Sequence, residues 1–270
     1  MSTPDATLLA ESGCHINAHC GFPAPGLNSF DFKPIFHIGS FAFTKPMLLA
    51  IICMVIVVGF FWAAFNKPKL VPGKLQLVGE IGYTFISRGI ARDVIGKKGD
   101  KFVPFLTSIF FFVWIMNIMS IIPLAQFPVA SRFAYPVALA LLVWITYMYL
   151  TFKTHGFKGG VKNLVWLDGI PGWLVPLIVF LEFLQNVVLR PFTLSVRLWA
   201  NMFAGHMLIV MFSVASWYLL TPSIMSAFAG GSFVLAVGMT AFEVLIQFLQ
   251  AYIFTLLASL YISGALEEGH

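Results

Sequence analysis

Residues Phe192 to Tyr218 read FTLSVRLWANMFAGHMLIVMFSVASWY, and their ionisable groups are Arg197, His206 and a terminal tyrosine. An apolar stretch of this length can cross the hydrocarbon core of a bilayer, so it predicts a membrane-embedded helix. The guanidinium group of Arg197 stays protonated at any relevant pH, and at the centre of a spanning helix it costs at least about 3 kcal/mol. Because Arg197 lies far from both ends of the stretch, we expect its charge to meet a partner within the membrane rather than to reach the headgroups.

The composition extends this conclusion to the whole chain. Of its 270 residues, 59% are hydrophobic and only 10% are charged, which excludes a water-soluble domain. The pattern predicts an all-α membrane protein with about five crossing helices and one interfacial amphipathic helix near residues 74–95. An amphipathic helix docked on a soluble partner would show the same pattern. The predicted spans are about 47–66, 103–122, 133–152, 173–220 and 228–266.

Lysine and arginine residues are distributed unequally between the predicted loops. One side carries eleven and the other side carries three, so the positive-inside rule places the amino terminus outside and the carboxyl terminus in the cytoplasm. Residues 1–46 then form an outer segment, and residues 47–270 form a single membrane domain. The net charge of +5 is explained by this topology and by anionic headgroups, so it indicates no nucleic-acid partner. The cytoplasmic residues are Lys67, Lys69, Lys74, Arg88, Arg92, Lys97, Lys98, Lys101, Lys153, Lys158 and Lys162.

The outer segment contains two cysteines and two histidines within seven residues: Cys14, His15, His19 and Cys20. They could form a small disulfide loop or provide four metal ligands. We favour a disulfide between Cys14 and Cys20, because the outer side is oxidising and zinc sites usually space their ligand pairs more widely. We therefore predict no metal site. The rest of the segment is rich in Gly and Pro, which predicts loops with at most a short helix.

Two rows of polar residues distinguish the last two helices. The first row has spacings of three and four, which place its members along one side of a helix. Its helix would be about 70 Å long, against a hydrocarbon core of about 30 Å, so strong tilting is expected. Pro191 should kink this helix. The first row is Glu182, Asn186, Arg190, Thr193, Arg197 and Asn201, and the second is Thr240, Glu243, Gln247 and Gln250.

The two rows match in depth if the last two helices form an antiparallel hairpin. A turn is indicated by Thr221-Pro222-Ser223 and closed by Gly230-Gly231. Folding the chain about residue 224 pairs Arg197 with Gln250, Asn201 with Gln247 and His206 with Glu243. Buried polar groups in lipid need partners or water, so this pairing predicts a hydrated polar seam. His206 and Glu243 could be a proton relay or a structural ion pair, and we favour the relay because neutral groups would suffice to join two helices.

The stretch from Arg190 to His206, RPFTLSVRLWANMFAGH, resembles the signature of subunit a of bacterial F-type ATP synthases, and Gln250-Ala-Tyr-Ile-Phe254 resembles that family's last helix. The resemblance implies that Arg197 faces the rotor ring of c subunits and is essential, with Asn201 and Gln250 beside aqueous paths. Many bacterial members have a carboxylate at the His206 position and a histidine at the Glu243 position. Because both positions are exchanged together, the site keeps one imidazole and one carboxylate.

The resemblance further implies a proton-conducting stator subunit of the bacterial plasma membrane, with two half-channels separated by Arg197. Its partners would be the c-ring, b-type peripheral stalk subunits and the F1 head. We expect no cofactor, protons as the transported ion, and catalysis of ATP synthesis in other chains, since no nucleotide-binding or nucleophile motif is present. The rival is a transporter of a small anion with Arg197 as counter-ion, which leaves the titratable pair and the long helix unexplained. The predicted proton path comprises Asn201, His206, Glu243, Gln247, Gln250, Glu182 and Arg190.

Overall fold

The computed structural model describes residues 36–38, 41–122, 129–165, 174–221 and 224–266. Within them, five helical runs are long and apolar enough to cross a membrane, so the predicted class of helical membrane protein is confirmed. The cysteines predicted to pair, Cys14 and Cys20, lie outside the described residues. The chain divides into two compact units, taken below one at a time. The first unit comprises the described parts of Met1–Ile52, Met116–Arg132 and Ala200–Leu249, and the second comprises those of Cys53–Ile115, Phe133–Trp199 and Gln250–His270.

The elements follow one another with short connections. The strands are β1 (Phe36–Ile38) and β2 (Phe41–Phe43). The α-helices are α1 (Lys45–Phe65), α2 (Lys74–Ile86), α3 (Asp93–Ile95), α4 (Val103–Ile118), α5 (Ala134–Val165), α6 (Val175–Phe183), α7 (Arg190–Tyr218) and α8 (Met225–Leu266). Two π-helical segments, Ser87–Arg92 and Leu184–Leu189, and two 3-10 segments, Gly96–Phe102 and Val129–Ser131, join them.

The amino-terminal side of α1 carries a small β-hairpin. Strands β1 and β2 pair antiparallel, with Phe36 opposite Phe43 and Ile38 opposite Phe41. This differs from the expectation of loops with at most a short helix. The Gly and Pro content that suggested loops lies mainly before these strands, whereas residues 36–43 are rich in aromatic and β-branched types that favour a pleated ladder.

The long helical run before the last turn is irregular where a proline interrupts its hydrogen bonds. Pro191 has no N–H, so the carbonyl four residues before it loses its usual partner. The chain widens into the π-helical segment Leu184–Leu189 directly before this position, which is how such a gap is commonly absorbed. A π-helical segment thus separates α6 from α7, and the kink at Pro191 stays a prediction.

Two helices extend beyond their predicted ends. Helix α5 continues to Val165, and its path breaks at Gly156, where φ is 69°; glycine adopts this conformation without steric cost. Helix α8 begins at Met225, so Gly230 and Gly231 lie inside it rather than closing the turn. Glycine is a poor helix former in water, but in lipid every backbone group must be bonded internally, which favours the helix.

Helix α8 buries one narrow stripe along its 42 residues. The stripe carries alanines seven residues apart, except across the fifteen-residue interval that contains Glu243; this spacing keeps one face directed inward, and the small side chains permit close backbone approach. Its alanines are Ala229, Ala236, Ala251, Ala258 and Ala265, all at most 7% exposed. Glu243, Gln247 and Gln250 lie in the same stripe. The second polar row is therefore directed into the protein, while large apolar side chains such as Leu245 and Phe248 face outward.

Candidate functional site

Arg197 lies on the exposed face of α7. Leu194 and Leu198 on the same helix are at most 2% exposed, whereas Arg197 is exposed. No acidic side chain among the described residues forms a salt bridge with it. An apolar helix thus presents a permanent cation on its outer surface with no counter-ion among the described residues, which is costly in lipid unless another group supplies one.

The first unit contains a buried carboxyl group held by an amide. Glu243 is 4% exposed and Gln247, one turn further along α8, is fully buried. The Gln247 Nε2 atom donates to Glu243 Oε1 at 3.2 Å and to Ser120 Oγ at 2.7 Å. Among the described residues, Glu243 Oε2 and Gln247 Oε1 have no hydrogen-bond partner. The pair therefore has two buried oxygen atoms that can each accept a further hydrogen bond.

A glycine on α7 makes room for this carboxyl group. A Cβ atom added to Gly205 would lie 3.0 Å from the carboxyl carbon of Glu243 and 3.1 Å from its Oε1. These distances are shorter than ordinary van der Waals contact. Helices α7 and α8 are therefore in close contact where the acid lies, and the contacting position is Gly205, directly before the predicted His206.

A cleft of about 390 Å³ lies nearer the turn of the hairpin in the first unit. Its lining includes the hydroxyl-bearing residues Ser213, Ser216 and Thr240. The Ser216 hydroxyl donates to the Ala229 carbonyl at 3.1 Å, which joins α7 to α8 across the turn. Each of these hydroxyl oxygens keeps acceptor capacity for water. Thr240 is one turn from Glu243 along α8, so the cleft opens beside the buried acid.

The second unit holds Arg190 between two aromatic rings. Its guanidinium carbon is 5.3 Å from the ring centroid of Tyr147 on α5 and 5.0 Å from that of Tyr261 on α8. The two ring centroids are 6.3 Å apart. Such cation–π contacts contribute about 0.5–2 kcal/mol each, with the larger values where water is excluded. Arg190 therefore joins three helices in addition to any role in ion movement.

Asn186 organises the neighbouring part of the second unit. Its Nδ2 atom donates to the Leu164 carbonyl at 2.6 Å and to Glu182 Oε2 at 3.2 Å. The indole N–H of Trp144 donates to the Asn186 carbonyl at 3.3 Å, which ties the π-helical segment to α5. Glu182 is half-buried and thus keeps contact with the surface.

The remaining predicted residues occupy the same helices. Asn201 and His206 are half-buried on α7, and Gln250 is 6% exposed on α8. The Gln250 Nε2 atom has no hydrogen-bond partner among the described residues. Both side-chain polar atoms of the fully buried Asn117 are likewise without partners in the part of the chain that the structure describes. That part also contains no group of three or more His, Cys, Asp or Glu residues suited to a metal ion.

Sequence reasoning missed three contributors to these contacts. Ser120 is a neutral residue 127 positions before Gln247, so no local spacing connects them. Gly205 carries no polar group, although its place directly before His206 in a polar helix was a usable signal. The tyrosines around Arg190, Tyr147 and Tyr261, come from helices far apart in sequence, so no local spacing connects them to Arg190.

Comparison with known proteins adds independent information. Residues 47–263 match the model of the family described as ATP synthase A chain. The chain is 54% identical to an ATP synthase subunit a from Streptomyces lividans over 270 residues, covering 99% of this chain and 96% of the relative. It is 40% identical to the ATP synthase subunit a of a Nocardioides strain, with 93% and 95% of the two chains covered. A Rhodococcus erythropolis protein of the same name is 39% identical, with 91% and 90% covered.

Proposed function

Because the chain belongs to the ATP synthase A chain family, and so is a stator subunit of a bacterial membrane-embedded motor, we propose that it conducts protons through two offset half-channels that meet the rotor in mid-membrane. The observation that carries this proposal is Arg197, a cation exposed on an apolar helix with no acidic partner among the described residues. A partner that supplies a carboxylate from outside the chain would balance this charge. The c-ring of the motor is that partner in our proposal.

Arg197 separates the two half-channels by its charge. It attracts a deprotonated rotor carboxylate and favours release of the proton as that carboxylate arrives. The same positive charge repels a hydrated proton, which prevents a direct leak between the paths. A charge crossing the membrane without doing work would dissipate about 2.3 kcal/mol per 100 mV, so this barrier is needed for coupling.

The outer half-channel runs through the first unit. Water in the cleft beside Thr240 brings protons to Glu243, whose Oε2 atom has no partner among the described residues. Gln247 and His206, together with Asn201, continue the path toward the rotor. A carboxylate and an imidazole are suited to relaying protons, which favours protons over sodium as the transported ion.

The inner half-channel runs through the second unit. Glu182 is half-buried and accepts a hydrogen bond from Asn186, so it can exchange protons with water at the surface. Arg190 and Gln250 border this path. In this proposal the inner path opens to the cytoplasm and the amino terminus lies outside, the orientation that the lysine and arginine distribution favours. The b-type stalk subunits would hold the chain against rotation and connect it to the F1 head.

The test replaces Arg197 with alanine in the intact complex reconstituted into liposomes. ATP-driven proton pumping should fall below detection, while the complex keeps its subunit composition and passive proton permeability is kept or increased. Thr193→Ala is the matched control, because Thr193 is exposed one turn earlier on the same helix and its hydroxyl donates only to carbonyls of its own helical turn. Coupled pumping by the Arg197→Ala complex at the rate of the control would refute the proposal. Purification without a ring of small c-type subunits would also count against it.

A further inference from the structure

A serine just beyond the end of α4 contacts the amide that binds the buried acid of the first unit. The helix ends at Ile118, and the Ser120 N–H donates to the Asn117 carbonyl at 3.1 Å in the turn that follows. This turn directs Ser120 toward α8, where its hydroxyl oxygen accepts the Gln247 Nε2–H at 2.7 Å. Ser120 is 7% exposed, so water does not compete freely for this bond.

The orientation of the Gln247 amide matters for the acid beside it. An ionised carboxylate can only accept hydrogen bonds, and an amide has one donating end and one accepting end. The donating end of Gln247 faces both Ser120 and Glu243. If the amide rotated by 180°, its oxygen would face the carboxylate and the hydrogen bond would become a repulsion. A protonated carboxyl group and a serine hydroxyl can each donate to an amide oxygen as well, so Ser120 fixes the position of the Gln247 side chain, while the ionised carboxylate fixes the direction of its amide.

We propose that Ser120 is a positioning residue for proton transfer: its hydrogen bond to the Gln247 amide holds that side chain beside the Glu243 carboxyl group. This inference rests on the proposed proton path. Gln247 then stays within hydrogen-bonding distance of Glu243 Oε1, and Glu243 Oε2 is the atom that gains and loses the proton. Without Ser120, the Gln247 side chain would leave this position more readily and would have to return before each transfer.

Removing the hydroxyl should therefore slow transport without displacing the helices. Ser120→Ala leaves one hydrogen of Gln247 Nε2 unpaired and frees the Gln247 side chain to leave its position beside Glu243. We expect ATP-driven proton pumping to fall about tenfold, the usual consequence of losing one hydrogen bond of about 1.4 kcal/mol. Ser120→Thr keeps a hydroxyl and should retain at least about half of the wild-type rate, because its oxygen can accept the same bond.

The experiment compares the intact complex carrying Ser120→Ala, Ser120→Thr or the control Ser108→Ala in liposomes. Ser108 is an exposed serine of α4 whose hydroxyl donates to the Pro104 carbonyl at 2.8 Å, so its removal tests a hydroxyl away from the acid. A second arm introduces Ser120→Ala into a Gln247→Leu background. Since Ser120 acts through the amide, it should add less than a twofold loss there. Amounts of assembled complex and thermal stability are measured for each variant.

A tenfold loss in Ser120→Ala, recovery in Ser120→Thr and no added loss in the Gln247→Leu background would support the proposal. Wild-type pumping by Ser120→Ala would overturn it. Equal losses in Ser120→Ala and Ser120→Thr would indicate packing instead of hydrogen bonding, and failure of both variants to assemble would indicate a structural role. The Arg197→Ala complex separates the two proposals: if it pumps, the proton path itself is wrong, whereas a loss there with normal Ser120→Ala pumping rejects only the positioning role.

Discussion

Replacing Gly205 with alanine should disturb proton transport while leaving the helix intact. The added methyl group would lie 3.0 Å from the Glu243 carboxyl carbon, so the carboxyl group must move by about 0.4 Å to reach ordinary contact. Its Oε1 atom already accepts the Gln247 hydrogen bond at 3.2 Å. A displacement of about 0.4 Å away from Gly205 can lengthen that bond to about 3.6 Å, beyond hydrogen-bonding distance.

The size of the effect follows from the bond that is lost. A hydrogen bond to a charged group contributes about 1.5–3 kcal/mol. If all of that free energy stabilises the transfer-competent arrangement, pumping falls by roughly 10- to 150-fold, since about 1.4 kcal/mol corresponds to a factor of ten. Alanine in place of glycine favours a helix by about 1 kcal/mol. The folded chain should therefore tolerate the substitution better than proton transport does.

The assay measures ATP-driven acidification of liposomes containing the intact complex, with the amount of complex determined in parallel. Gly238→Ala is the control, because Gly238 also lies inside a helix of the hairpin and a Cβ atom there would meet nothing within 4 Å. We expect normal pumping from Gly238→Ala. Combining Gly205→Ala with Glu243→Asp should cost less than the two single losses together, since the shorter side chain withdraws from the methyl group. Wild-type pumping by Gly205→Ala, or an equal loss in the control, would contradict this reasoning.

Two further predictions concern the second unit and are measured by thermal denaturation of the purified complex. Tyr261→Leu removes one of the two rings that flank Arg190 and should lower the free energy of unfolding by about 1–2 kcal/mol. Tyr261→Phe keeps the ring and should change the free energy of unfolding little. Equal losses in both variants would show that the hydroxyl group matters instead of the ring. Asn186→Leu leaves the Leu164 carbonyl on α5 without its donor and should lower the free energy of unfolding by about 1–3 kcal/mol. The control Gln185→Leu changes an exposed neighbour and should be nearly neutral. A complex carrying Asn186→Leu that is as stable as the wild type would show that this hydrogen bond is dispensable.

The polar row of α8 was predictable because helical periodicity is a local property. Spacings of three and four placed Glu243, Gln247 and Gln250 on one side of a helix, and all three are buried on the same stripe. The contacts of Gln247 were not predictable, because Ser120 approaches from another helix and its hydroxyl gives no periodic signal. Helix ends were also misjudged where glycines lie within apolar sequence, as at Gly230, since lipid favours helical hydrogen bonding more than glycine opposes it.

The sequence by itself determined that the chain is a helical membrane protein, because apolar segment length and charge distribution respond to the bilayer and require no knowledge of packing. It also singled out Arg197, whose charge is costly in lipid whatever surrounds it. Only the tertiary structure decided that Arg197 lies on an outer face, that Arg190 lies between two tyrosines and that Gly205 admits the carboxyl group of Glu243. These contacts depend on which side of each helix packs against residues that are distant in sequence. The packing geometry of the helices decides this, and residue spacing within one helix does not determine it.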